Sequence, residues 1–177
     1  KAEIDSMLTG YNYTRDYSYK YGTRNYHITS KGSARQYFYD SSNGQYNPQF
    51  DVVGPVTLSQ NMSYYGGNDS WGNDKAPEKM IKEACELVNA TIDFSLYDND
   101  NDGYVDFVYV IYAGKGQADG GDANTIWPHN WDIYSASYYG NCTYPKAEWK
   151  VDGKTLNTYA MSAELEGAGT LGGIGTL

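Results

Sequence analysis

Apolar residues recur at helical spacing in two segments near the start of the chain. Ile4, Met7 and Leu8 share one face of a short helix, which we expect to end at Gly10 because glycine often terminates helices. Residues 11–30 are rich in tyrosine and are predicted to be irregular. Residues 33–42 predict a second helix, which the Asn-Gly pair that follows should stop.

The third helical pattern is the strongest in the chain. Asp74 is expected to cap this helix, and Pro77 is expected in its first turn, where a missing N–H is tolerated. Its apolar positions repeat every three or four residues, so one face should lie on the core. That face consists of Ile81, Ala84, Cys85, Val88 and Ile92.

Three apolar runs have the length of strands. Residues 50–58 predict a strand that is interrupted at Gly54-Pro55, so a bulge or an edge position is expected there. Residues 105–113 are apolar on both faces, which indicates a central strand covered on both sides. Residues 155–165 predict one more strand, which is followed by glycine-rich sequence.

The order of these elements indicates the fold class. Helices alternate with a few strands, but without the regular strand-helix-strand repeat of a parallel sheet. The expected fold is therefore α+β, with a mixed sheet and flanking helices. A length of 177 residues suits a single domain, which we expect to span residues 1–177.

Composition and charge limit the partners. The formal net charge of -9 argues against nucleic acid, because phosphate binding needs clustered cations. No apolar run approaches the roughly 20 residues of a membrane-spanning helix, so no membrane span is expected. The 20 tyrosines and 20 glycines are typical of proteins outside the cell, which favours a secreted or extracellular location.

Residues that commonly ligate transition metals are few. Cys85 and Cys142 are consistent either with one disulfide bond or with a buried free thiol at Cys85. His27 and His129 each lack a second histidine three or four positions away, so neither begins a helical zinc pair. For His129, which lies between two tryptophans, a structural role wedged between the two indoles is favoured over catalysis.

Two features near the end of the chain are assigned no chemistry. Residues 167–172 match the dinucleotide fingerprint Gly-x-Gly-x-x-Gly, but no helix-forming sequence or downstream acid follows to complete that site. Glu164 and Glu166 stand where they could flank a cleft, although exposed charges are the more ordinary interpretation.

The most informative segment is the acidic loop at residues 98–106. Its carboxylates stand at every second position, and Gly103 permits a sharp turn, so the side chains can converge on one centre. Calcium requires six to eight oxygen ligands of this kind. The loop leads into a strand, unlike an EF-hand, which indicates a structural calcium site. The predicted ligands are Asp98, Asp100, Asp102, the carbonyl of Tyr104, and Asp106.

Several short segments match a known family in order and spacing. They are residues 32–38, 42–46, 50–56, 65–69, 98–106, 112–114, 126–129 and 159–165. Together they resemble the immune-inhibitor-A-like family of secreted bacterial zinc metalloproteases. These are zincins, in which a helix with the motif His-Glu-x-x-His binds the zinc.

The resemblance implies a zincin-like N-terminal part of a catalytic domain. Zinc ligands and the general-base glutamate have no counterpart here, so catalytic residues are expected C-terminal to Leu177 and this chain alone should be inactive. The implied partners are the remaining C-terminal part of the catalytic domain and a protein or peptide substrate. Residues 155–165 are expected to be an edge strand that aligns this substrate.

A second function class fits the residues more loosely. A calcium-stabilised extracellular binding or adhesion module, with exposed tyrosines and tryptophans that stack on sugars, would also carry one calcium loop and many aromatic residues. The two alternatives differ in whether a His-Glu-x-x-His helix accompanies these residues in the complete protein.

Overall fold

A computed structural model describes residues 1–138 and 149–167. Contacts divide them into two compact units, one over residues 1–55 and one over the described residues from 56 to 167. One domain over residues 1–177 stays a prediction. Cys142 and the glycine-rich end from residue 168 lie outside the described residues.

The first unit contains two helices that match their predicted positions. Helix α1 spans Ala2–Thr9 and ends at Gly10, whose N–H donates to Ser6 O. Helix α2 spans Ala34–Ser41. It begins after Ser33, whose hydroxyl accepts a hydrogen bond of 3.2 Å from Gln36 N, as expected of an N-cap serine.

A β-hairpin replaces the predicted irregular segment of the first unit. Strand β1 spans Thr14–Tyr21 and strand β2 spans Arg24–Lys31, and they pair antiparallel in an unbroken register. Gly22, at φ 59°, lies in the two-residue connection, where a left-handed conformation suits the twist of a hairpin. The alternating tyrosines that precede Gly22 are a strand pattern, and the tyrosine-rich composition obscured it.

Helices of the second unit include α3 at Met62–Tyr65, α4 at Pro77–Val88 and α5 at Ile133–Tyr138, with 3₁₀ turns at Phe94–Tyr97 and Gln117–Asp119. Helix α4 has Pro77 at its start, as predicted, and buries Ile81, Cys85 and Val88. The predicted cap is wrong: Ala76 occupies the cap position, and Asp74 accepts a hydrogen bond from Trp127 N instead.

A mixed three-stranded sheet forms the centre of the second unit. Its strands are β3 at Val108–Lys115, β4 at His129–Asp132 and β7 at Thr158–Leu165, in the order β3-β7-β4. Strand β7 pairs parallel with β3 and antiparallel with β4. A small hairpin of β5, Lys150–Val151, and β6, Lys154–Thr155, precedes β7. The mixed α+β class is confirmed.

The positions of two predicted strands in the sheet are reversed. Residues 105–113 were expected at the centre, yet β3 is an outer strand of the described sheet and Tyr109 is exposed. Residues 155–165 were expected at an edge, yet β7 is the middle strand and is buried from Tyr159 to Ala163. Small and apolar residues let β7 be covered on both faces, whereas Tyr109 of β3 tolerates solvent.

The strand predicted at residues 50–58 is also wrong. No ladder joins these residues to any described strand. Gly54 adopts φ 92°, which is outside the extended region, and Pro55 has no N–H to donate. The segment therefore lacks both the conformation and the donor that a ladder needs.

The core of the second unit lies between α4 and the sheet. Helix α4 contributes Met80, Ile81, Cys85 and Val88, and strand β7 contributes Tyr159, Met161 and Ala163. Cys85 is a free thiol, and burial raises its pKa to about 12, so it is an inert apolar group here. None of the described helices combines the length and apolar character needed to cross a membrane.

Candidate functional site

The acidic loop at residues 98–106 is held at both ends by main-chain hydrogen bonds. Asp106 N donates to Tyr97 O at 2.7 Å, which closes the loop onto the preceding 3₁₀ turn. Val105 N donates to Thr155 O, and Thr155 N donates to Gly103 O, both at 2.9 Å. Gly103, at φ 88°, makes the predicted sharp turn. The loop is thus anchored to the β5–β6 hairpin, far away in sequence.

Three of the predicted ligands converge. One carboxylate oxygen from each of Asp98, Asp100 and Asp106 lies within 4.8 Å of the other two. Asp98 is the buried member of this set. Its Oδ1 accepts from Asp102 N at 2.9 Å and its Oδ2 from Gly103 N at 3.1 Å, so the loop backbone orients its carboxylate. These are hard oxygen donors of the kind that calcium binds.

The other two predicted ligands lie outside this set of three. Asp102 Oδ1 accepts from Tyr104 N at 2.8 Å, which makes it part of the turn. Tyr104 forms a bridge with Thr155. Asp106 also accepts hydrogen bonds from the main-chain and side-chain nitrogens of Asn99, and these fix its carboxylate.

A lysine that sequence reasoning missed also reaches the loop. Lys154 Nζ lies 2.5 Å from Asp98 Oδ2, and the Asp98 side chain is fully buried. The hydrogen bond from Lys154 is the main reason that the pKa of Asp98 lies below its usual range. Lys154 comes from β6, and only the β5–β6 turn brings it to the loop, so no local pattern could indicate it.

A cleft of about 700 Å³ opens elsewhere in the second unit, beside the start of α4. One wall is the loop at residues 69–74, in which Asp69 Oδ1 accepts from Trp71 N at 2.7 Å and from Asn73 N at 2.9 Å. These hydrogen bonds lower the pKa of Asp69, so it is ionised at neutral pH. Trp71, Trp127 and Trp131 line the cleft.

Two buried carboxyl groups also line this cleft. Asp74 Oδ2 accepts from Trp127 N at 2.9 Å, but its Oδ1 has no hydrogen-bond partner among the described residues. Glu78 is fully buried, and within residues 1–138 and 149–167 neither of its oxygens has a hydrogen-bond partner. Burial raises the pKa of Asp74 to about 6 and that of Glu78 to about 7. Neither residue carries a sequence signal that separates it from an ordinary helix-start acid.

His129 lies on β4 in the same cleft, with both ring nitrogens engaged. Its Nδ1 is 2.6 Å from Trp127 O, which only accepts, so Nδ1 carries the proton. Its Nε2 is 3.2 Å from the Tyr159 hydroxyl and accepts from it. Burial lowers the pKa of His129, so the ring is neutral. The structural role favoured by the sequence fits, although the ring contact is with Tyr159.

Comparison with known proteins identifies a family. The sequence matches the family described as "Immune inhibitor A peptidase M6, catalytic domain" over residues 11–172. It is also similar to the protein named "Immune inhibitor A" of Bacillus thuringiensis subsp. alesti, at 28% identity over 56% of this chain. The matched region is 18% of that relative, so the chain spans about a fifth of the relative's length.

Proposed function

Because the chain belongs to the immune inhibitor A peptidase M6 family, we propose that it forms part of the catalytic domain of a secreted zinc-dependent metalloendopeptidase. The observation that carries this proposal is the family match over residues 11–172. The mixed sheet with a helix packed on one face is compatible with such a domain. Protein or peptide chains are the proposed substrates.

The zinc ligands of this peptidase are proposed to lie outside these 177 residues. The sequence holds two histidines and no His-Glu-x-x-His motif. Both ring nitrogens of His129 are already engaged, so it does not present a free ligand. Zinc, when bound elsewhere in the domain, would polarise water for attack on a peptide carbonyl. The residues described here would support that site by supplying the sheet.

The proposed activity is tested on the longer protein. The source gene should encode a His-Glu-x-x-His helix together with these residues, and its product should cleave casein in a reaction that a zinc-selective chelator abolishes. Replacing the glutamate of that motif by glutamine should stop cleavage while zinc stays bound. A longer protein without the motif, or one that is inert with zinc present, would favour the binding-module alternative.

We also propose that the acidic loop binds one calcium ion. Asp98, Asp100 and Asp106 would hold it, because their oxygens already converge, and Asp102 and the Tyr104 carbonyl are the further ligands proposed from the sequence. A cation would offset the mutual repulsion of these carboxylates. Its role would be structural, since the loop joins β3 to the β5–β6 hairpin through main-chain hydrogen bonds.

The calcium proposal is tested by calorimetry on this chain. Calcium should bind with a stoichiometry of one, and Asp100→Asn should weaken binding about ten-fold, the scale on which ligand charge tunes such loops. Asp40→Asn is the matched control, because it makes the same change of net charge at an exposed position of α2. An identical titration for Asp100→Asn and the original chain would refute the assignment.

A further inference from the structure

The walls of the cleft beside α4 combine three indoles with negative charge. Trp71 is 87% exposed, Trp127 53% and Trp131 45%, so large aromatic surfaces face solvent around one opening. Asp69, whose pKa is lowered by hydrogen bonds from the loop backbone, adds a carboxylate on the loop that carries Trp71. Aromatic faces beside carboxylates attract organic cations.

The interior of the cleft carries unused acceptors. Asp74 Oδ1, Glu78 Oε1 and Glu78 Oε2 are buried and have no hydrogen-bond partner in the part of the chain that the structure describes. A buried acceptor without a donor is costly, and a native structure rarely keeps three of them on residues that line one cleft without a use. They are three acceptor positions that a ligand with several N–H donors would satisfy.

The described neighbours of these oxygens do not supply those donors. The neutral ring of His129 donates from Nδ1 to Trp127 O, and its Nε2 accepts from Tyr159. Within the described ranges, the three acids whose oxygens converge as a metal site requires are Asp98, Asp100 and Asp106, which do not line this cleft. The cleft therefore suits a ligand that has its own donors and a flat or apolar body.

We propose that this cleft binds the side chain of an arginine residue in a polypeptide. A guanidinium group is planar, stacks on indole faces, and presents five N–H donors in a fixed fork, which suits the oxygens of Asp74 and Glu78. A volume of about 700 Å³ exceeds one side chain, so the flanking main chain has room as well. The next step rests on the proposed function: in a peptidase, this cleft is a subsite for a basic residue of the substrate.

The raised pKa of the Glu78 carboxyl supports this assignment. Burial raises the pKa of Glu78 to about 7, and a bound guanidinium would lower it again, so binding near neutral pH should release protons. Other titratable groups that act on the two carboxyls are His129, Tyr112 and Lys79. Of these, Lys79 favours the charged form of Glu78 but lies on the exposed side of α4.

The test is direct binding of short peptides to this chain, without zinc and with a chelator present. Ac-Gly-Arg-Gly-NH₂ should bind with a dissociation constant on the order of 0.1–1 mM, followed by tryptophan fluorescence and calorimetry. The citrulline peptide has the same shape without the charge and should bind at least about ten-fold more weakly. The lysine peptide, with a compact ammonium group, should fall between them.

Variants locate the binding site. Glu78→Gln and Asp74→Asn should each weaken arginine binding about ten-fold, because each removes a charged acceptor. Trp71→Ala should weaken it about three-fold, and this exposed residue can be replaced without disturbing the core. Glu86→Gln is the matched control, because it changes an exposed acid of the same helix away from the cleft and should leave binding unchanged.

The possible outcomes are distinct. Equal binding of arginine and citrulline, or no binding of the arginine peptide up to about 10 mM, would overturn the proposal. A metal site would also overturn the proposal: without chelator, zinc or calcium would bind, Glu78→Gln would abolish that binding, and the arginine peptide would not bind. If Glu78→Gln does not fold, Trp71→Ala and the citrulline peptide decide. Because catalysis is not measured, a longer protein without peptidase activity would leave this result intact.

Discussion

Glu78 shows how one buried residue changes the properties of a helix. In sequence it is an acid in the first turn of α4, which is an ordinary and favourable place beside the helix dipole. In the structure it is fully buried, and neither of its oxygens has a hydrogen-bond partner among the residues described. No sequence pattern predicts this, because periodicity describes the faces of a helix and not the tertiary contacts that cover one side chain.

The raised pKa of Glu78 predicts a pH-dependent effect of Glu78→Gln. In the folded chain burial raises the pKa of the Glu78 carboxyl to about 7 from its ordinary value of 4.5, so the carboxyl keeps its proton up to about pH 7. The stability that Glu78 contributes is therefore full below pH 4.5 and is lost as pH rises through 7. Between pH 4 and pH 8 the difference between variant and original should move in favour of glutamine, by on the order of 3 kcal/mol.

Urea unfolding at pH 4, 6 and 8 measures this shift. Asp74 and His129 titrate in both proteins, so the difference between the two isolates Glu78. A difference in unfolding free energy that stays constant across this range would show that Glu78 is not protonated in the folded chain.

The ion pair between Lys154 and Asp98 gives a prediction for the stability of the folded chain. Replacing Lys154 by methionine leaves the buried carboxylate of Asp98 without its charged partner. In the presence of a chelator we expect Lys154→Met to lower the free energy of unfolding, because an uncompensated buried charge is destabilising, and urea unfolding measures the loss. Lys150→Met, at an exposed position of the partner strand, is the control. Equal unfolding free energies for the two variants would contradict the role of the ion pair.

Elements with strong local signals were predictable, and those decided by distant contacts were not. Helix α2 has a cap serine and a regular face, and its predicted position is confirmed. The apolar run at residues 105–113 has the composition of a central strand, yet the middle strand of the sheet is β7. Periodicity describes which faces are apolar, but it does not say which neighbours a strand receives.

The cap of α2 gives a prediction for a whole element. Ser33→Ala removes the hydroxyl that accepts from Gln36 N, and this should lower the unfolding free energy by about 1 kcal/mol. Ser41→Ala, at an exposed position in the last turn of the same helix, should have little effect. Chemical denaturation of both variants checks the difference, and equal losses would show that the cap hydrogen bond does not stabilise α2.

At the scale of the whole molecule, calcium is expected to slow hydrogen exchange in one compact unit and not in the other. If calcium binds the acidic loop, hydrogen exchange should slow at residues 98–106 and 154–155, which share main-chain hydrogen bonds. The β1–β2 hairpin belongs to the first unit and should exchange at an unchanged rate. Equal slowing in the hairpin would show that the chain unfolds as one cooperative domain, which is the single domain expected from the sequence.

The place of β7 between β3 and β4 has a consequence for biosynthesis. Both outer strands precede β7 in the chain, and the described sheet gives neither of them another strand to pair with. On the ribosome, β3 and β4 therefore emerge with unpaired backbone edges, and the sheet closes only when the last of the three strands has left the exit tunnel. Nascent chains that stall before β7 has left the tunnel should consequently be bound by chaperones and prone to aggregate, whereas chains that stall after β7 has emerged should not.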